Sequence, residues 1–172
     1  MSRRPAARSV FAACLLLALG ACGFQLRGVG GGSALPESWR QMHLISESPN
    51  GELTRVLLAT FAANGVEWVE RGEATHVLRL GPERFSQANL SVNAQARAAE
   101  FDLQMQAVFD VLGPDGTTVM PRSTGAVNKQ MENDPRNVVG KAEEVRVLRD
   151  ELRTELATQI FRRVSFFAAS AE

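Results

Sequence analysis

Between residues 99 and 112 apolar and polar positions alternate for longer than anywhere else in the chain. Phe101, Leu103, Met105, Ala107, Phe109 and Val111 fall on one side. Glu100, Asp102, Gln104, Gln106 and Asp110 fall on the other, with Val108 the exception. A period of two held this long predicts a strand with one face on a core and one face wet or polar. Burial of its larger apolar side chains, at about 1.5–3 kcal/mol each, makes this strand the spine of the fold. Gly113-Pro114-Asp115-Gly116 then predicts a hairpin turn, with the return strand over about 117–131.

The pattern upstream is shorter. Residues 41–46 predict a first strand, and Ser48-Pro49-Asn50-Gly51 breaks it. Leu53, Val56, Leu57, Thr60 and Phe61 then share one face of a 3.6-residue period, which predicts a helix over 52–64. Asn64-Gly65 supplies a left-handed stop. Residues 75–86 predict the next strand, with Pro82 marking an irregular or edge position. After Asn133-Asp134-Pro135-Arg136-Asn137, a stripe of Val145, Leu148, Leu152, Leu156, Ile160 and Val164 predicts a long helix over 142–166. Glu151, Arg153, Glu155 and Arg162 are assigned to its wet side. The expected fold class is α+β: a two-layer sandwich with two helices packed on one face of a mainly antiparallel four-stranded sheet.

The start of the chain follows different rules. Arg3, Arg4 and Arg8 form a positive segment, and an apolar run over 10–19 follows. That run, about ten residues, is too short for a bilayer span and has the layout of a secretory signal peptide. It ends in Leu19-Gly20-Ala21-Cys22, the branched-small-small-Cys box of a bacterial lipoprotein. The expected division is a signal peptide over 1–21, a lipid anchor and flexible leash over 22–34, and one domain over 35–172. An ordinary signal peptide with a chance cysteine is the alternative. Acylation of Cys22 would anchor the protein firmly, since each buried methylene adds about 0.8 kcal/mol and several chains act together. Gly23 in place of Asp favours sorting to the periplasmic leaflet of the outer membrane.

This processing changes the chemistry available. Cys14 leaves with the signal peptide and Cys22 carries the lipid, so no disulfide or thiol nucleophile is expected. With the three leader arginines gone, 16 basic residues face 19 acidic ones, a net of −3. That balance excludes a whole-molecule basic field for nucleic acid. His43 and His76 sit in separate predicted strands without ligand spacing, so no metal is expected. Glu100 and Asp102 share a strand face but lack an acid–base partner, and Gly30-Gly31-Gly32 lacks the strand and helix of a phosphate cradle. No catalytic set and no cofactor site emerges. Phe85, Phe101, Phe109 and Phe161 are expected in core or interface, with Phe166 and Phe167 placed to face either core or a partner. Gln104 and Gln106 leave the outer sheet face polar but sparsely charged, which suits a polar barrel wall or an ordinary solvated face.

Several segments in order resemble the LptE family of lipopolysaccharide-assembly lipoproteins. They are Ala21-Cys22-Gly23-Phe24-Gln25-Leu26-Arg27-Gly28, Leu35-Pro36, Asn64-Gly65-Val66, Leu78-Arg79-Leu80-Gly81, Ala99-Glu100-Phe101-Asp102-Leu103 and Lys141. The resemblance implies a non-catalytic outer-membrane lipoprotein that binds and plugs the LptD β-barrel one-to-one and assists lipopolysaccharide assembly at the cell surface. It points to Lys141 as a lipopolysaccharide contact. In the family a basic residue precedes the third strand; here that loop offers only Arg97, placed slightly later. Arg136 and Lys129 complete the set of cations expected toward one end of the sheet, where Arg or Lys could hold lipid A phosphates. Each could equally be a solvated surface charge. A lipid-anchored periplasmic module for another envelope ligand, such as peptidoglycan, is the competing function class.

Overall fold

The computed structural model describes residues 35–92, 98–132 and 138–171. The elements are β1 (Gln41–Ser46), α1 (Glu52–Ala63), β2 (Glu67–Trp68), β3 (His76–Leu80), β4 (Arg84–Val92), β5 (Ala98–Leu112), β6 (Thr118–Glu132) and α2 (Val138–Ser170). A short 3₁₀ turn, Glu37–Trp39, precedes β1. The signal-peptide, lipidation and leash assignments lie outside the described residues.

β5 organises the sheet. One edge carries β6 in an antiparallel ladder from Glu100↔Glu132 to Leu112↔Thr118. Its other edge is shared end to end, antiparallel to β4 near its start and to β3 near its finish. β1 then joins β3 in parallel, and β2 joins β1 in parallel. The sheet therefore has six strands and is mixed, which corrects the expectation of four mainly antiparallel strands. Two causes account for the difference. Crossing back through α1 returns the chain to the end where β1 began, so β2 and β3 run parallel to β1. The strand expected over 75–86 is interrupted at residues 81–83, where Gly81 N–H bonds the Val108 carbonyl at 2.8 Å before the chain leaves β3 for β4. Pro82, which has no N–H to offer, sits in that break.

Alternation in β5 works as the pattern predicts. Phe101, Leu103, Met105, Ala107, Phe109 and Val111 are all buried, and both helices cover this face. Met42, Leu78 and Leu80 extend the same layer into β1 and β3. From α1 come Leu53, Leu57 and Phe61; from α2 come Leu152, Leu156, Ile160 and Val164. Phe61 meets Phe161 edge to face, with centroids 5.1 Å apart. Gly65, at φ +90°, ends α1 as its sequence signal foretells, and Gly116, at φ +85°, does the same for the β5–β6 turn. α2 is longer than its apolar stripe at both ends. Arg153, assigned to the wet side, is in fact buried.

α2 also closes the outer edge of β6. The Gln159 amide accepts from Ala126 N–H at 3.0 Å and donates to the Ala126 carbonyl at 3.2 Å. Arg163 donates to the Thr124 carbonyl at 2.7 Å. Side chains of a helix thus take the place of a further strand. Close approach is possible because residue 125 is glycine: a Cβ there would lie 2.9 Å from Leu156 Cδ1.

Candidate functional site

The end of the molecule formed by the start of β5, the end of β6 and the start of α2 holds the one candidate cation that the sequence argument favoured most. Lys141 lies in the first turns of α2, and its Nζ sits 4.1 Å from the centroid of the Phe101 ring. Phe101 is on the core face of β5 opposite Met131 of β6, so its ring is fixed by the ladder. A cation over an aromatic face is attracted by the ring's quadrupole, which helps to fix where the ammonium sits. Arg97 and Arg136 lie outside the described residues, in the segments joining β4 to β5 and β6 to α2.

Lys129 does not join this end. Its Nζ is 2.8 Å from Glu155 Oε1 and 3.0 Å from Glu151 Oε2. Bonds to Glu155, then Glu151, hold its pKa above the ordinary lysine value. Glu151 is ten residues beyond Lys141, about 15 Å along the helix axis. Lys129 therefore ties β6 to the middle of α2.

Further along α2 lies a second group of cations, of which Arg153 is buried and Arg146 exposed. Arg153 Nε and Nη2 donate to the Glu83 carboxylate at 2.9 and 3.0 Å. Its Nη1 meets Asp150 at 2.7 Å and also Glu52 of α1. Arg146 is held by Glu143 at 2.6 Å and Asp150 at 3.4 Å. Arg149 rests its guanidinium carbon 4.0 Å over the Phe85 ring of β4. Sequence reasoning missed Arg149 and misplaced Arg153. The only available signal was helical spacing, since 149 and 153 lie one position beyond the stripe residues Leu148 and Leu152.

On the sheet face away from the helices, Arg79 and Asp110 form a two-pronged ion pair with both bonds at 2.6 Å. The bond to Asp110 raises the Arg79 pKa. The pair lines a shallow cleft of about 240 Å³ with Ile45, Val108 and Arg122. Nearby, Gln104 is exposed and Gln106 half-buried, so this face is polar, with amides beside the Arg79–Asp110 pair. His43 donates from Nδ1 to the Val69 carbonyl at 2.9 Å, and His76 stacks on Trp39. Both rings serve the packing of their strands. No grouping of three metal-ligating side chains occurs among the described residues. Phe167 packs edge-on to Trp39, while Phe166 is 78% exposed, so the two terminal aromatics part company.

Comparison with known proteins adds four findings. The LptE family model, described as lipopolysaccharide-assembly, matches residues 39–164. The LPS-assembly lipoprotein LptE of Photorhabdus laumondii is 27% identical over 150 residues, covering 87% of this chain and 80% of that one. Its Yersinia pestis counterpart is 28% identical over 151 residues, covering 87% and 70%. Among solved structures, rare lipoprotein B from Shewanella oneidensis superposes with a TM-score of 0.68 at 25% identity, covering 76% of this chain and 98% of that one.

Proposed function

The chain belongs to the lipopolysaccharide-assembly LptE family, and from that premise we propose that it is a non-catalytic lipoprotein of the outer membrane. In this reading Cys22 carries the acyl chains and the periplasmic leaflet holds them. The folded domain binds and plugs an LptD β-barrel one-to-one and takes part in delivering lipopolysaccharide to the cell surface. The observation that carries the reading is the family match over 39–164, which takes in every strand and most of both helices.

The geometry supports specific roles. Lys141 is the principal lipopolysaccharide contact, because its ammonium is positioned against the Phe101 ring at the end of the sheet. Arg97 and Arg136 would add charge from the neighbouring segments. Lys129 contributes least, since two carboxylates already hold it. The sheet face around Gln104, Gln106 and the Arg79–Asp110 pair suits a polar lumen wall, which accepts amides and neutralised ion pairs without a large desolvation cost.

Solubilised outer membranes should yield the tagged protein bound to a large barrel at a one-to-one ratio. From the same preparation, Lys141→Asp should weaken lipopolysaccharide binding about tenfold or more while leaving the barrel complex and the melting temperature unchanged. Recovery without a barrel would favour a module for another envelope ligand. Unchanged lipopolysaccharide binding would discard Lys141.

A further inference from the structure

β1 is paired along most of one edge and only briefly along the other. β3 runs beside it from Met42 to Ser46, whereas β2 meets it at Gln41 and Met42 alone. Main-chain direction alternates along a strand, so bonds near each end fix which residues face which edge. Thr75 N–H donates to the Gln41 carbonyl and Glu47 N–H to the Leu80 carbonyl, which turns the odd-numbered residues toward β3. Val69 N–H donates to the Met42 carbonyl at 2.9 Å, which turns the even-numbered ones toward β2. Beyond Met42 those are Leu44 and Ser46. Their N–H and C=O groups face the side where β2 has ended, and they have no partner among the described residues.

The ladder stops for a local reason. The Val69 carbonyl, next in line for Leu44 N–H, is taken by His43 Nδ1 at 2.9 Å. The chain then turns away, with Glu73 N–H on the Glu70 carbonyl. Leu44 and Ser46 are left lining a groove of about 600 Å³, together with Leu58 of α1 and Trp68. Side chains tie this groove in place. Trp68 Nε1 donates to the Leu58 carbonyl at 3.1 Å, and Ser46 Oγ and Thr54 Oγ1 share a hydrogen bond of 2.8 Å. The carboxylates of Glu70 and Glu73 also line it, and both residues are exposed. Neither has an ion-pair partner among the described residues.

A strand edge with unpaired main-chain groups is a template for another strand. An incoming segment must be extended to bond Leu44 and Ser46. It gains further from apolar side chains against Leu58 and Trp68 and from basic ones beside Glu70 and Glu73. Leu44 and Ser46 are about 7 Å apart along the strand, so a few residues fill the opening. We infer that the free edge of β1 is a docking groove for an extended segment of a partner protein, alternating apolar and basic residues and bound by strand addition. This surface is separate from Lys141. β1 reaches β5 through β3 near the finish of β5, and Lys141 lies by its start.

The test titrates the acylated full-length protein in non-ionic detergent with a fluorescent peptide of about eight residues in which Val and Lys alternate. This peptide should bind saturably, and its Val–Glu counterpart about tenfold more weakly. Two N-methylated forms separate strand addition from charge attraction, because the Val and Lys amides of an extended chain point to opposite edges. Methylation of one set should weaken binding about tenfold through loss of its bonds to β1, and methylation of the other by about twofold at most. Glu70→Lys combined with Glu73→Lys, both at exposed positions, should lower affinity for the Val–Lys peptide about fivefold. Absence of binding, equal effects from the two methylated forms, or indifference to the two carboxylates would each overturn the inference. A protein dimer that the peptide dissociates in ultracentrifugation would overturn it too, since the edge would then serve a second copy of this chain.

Discussion

The ring of His76 lies on Trp39 with centroids 3.8 Å apart and planes 14° from parallel, and Trp39 is itself buried. Burial disfavours the charged imidazolium and lowers the His76 pKa below its ordinary 6.5, outweighing a bond to the Ser38 backbone that pulls it upward. Its effect on stability follows in sign. Above 6.5 the ring is neutral in both folded and unfolded chains, and the packing stability is fully present. As pH falls below that value the unfolded chain takes up the proton first, so stability is lost until the folded ring also protonates. Denaturant unfolding at pH 7.5 and 5.5 should show a larger drop for the wild type than for His76→Phe, which keeps the stack without the charge. Equal drops would mean the ring contributes nothing to the pH dependence. Single positions such as this one were the hardest to read from sequence. Glycines at Asn64-Gly65 and Asp115-Gly116 were plain, because only a left-handed backbone explains them. Arg153 was not, because a charge beside an apolar stripe reads as solvated unless its partners, Glu52 and Glu83 from distant segments, are known.

Elements were legible in proportion to their amphipathicity. β5, α1 and the buried part of α2 each carry a period that matches their structure, and β6 followed from the turn that precedes it. β2 has two residues, too few to show one. β4 escaped beyond Ser86 because Gln87, Ala88, Asn89 and Leu90 are exposed whichever way they point, so no alternation was selected. These residues are held as a strand by the ladder with β5, a cause that lies outside their own sequence. The contact between β6 and α2 was equally hidden, although it depends on one residue type. Gly125→Ala should cost about 1–3 kcal/mol, because the new methyl meets the buried Leu156 and displaces the Gln159 amide from Ala126. Thermal or denaturant melting measures it, and an unchanged midpoint would show that α2 can withdraw without loss.

For the whole molecule, the sequence conveyed the class of fold, the side of the sheet that the helices cover and the family. It did not convey the parallel β1–β3 pairing or the six-strand count, since pairing partners depend on where a returning chain lands. The packing also differs from one end of the molecule to the other. Between Gly140 and Asp150 no residue of α2 is fully buried, whereas Leu152, Leu156, Ala157, Ile160, Val164 and Ala168 are sealed from solvent. A single continuous helix thus belongs to two regimes. Amide hydrogens over 141–149 should exchange through local opening, at rates well above those over 153–165, which await global unfolding. Hydrogen–deuterium exchange read by mass spectrometry resolves the two segments, and uniform protection would refute the division. A ligand seated against Lys141 and the first turns of α2 would slow the first segment alone. Occupancy would then be recorded as a fall in fraying at one tip of α2, with the rest of the fold acting as a rigid handle.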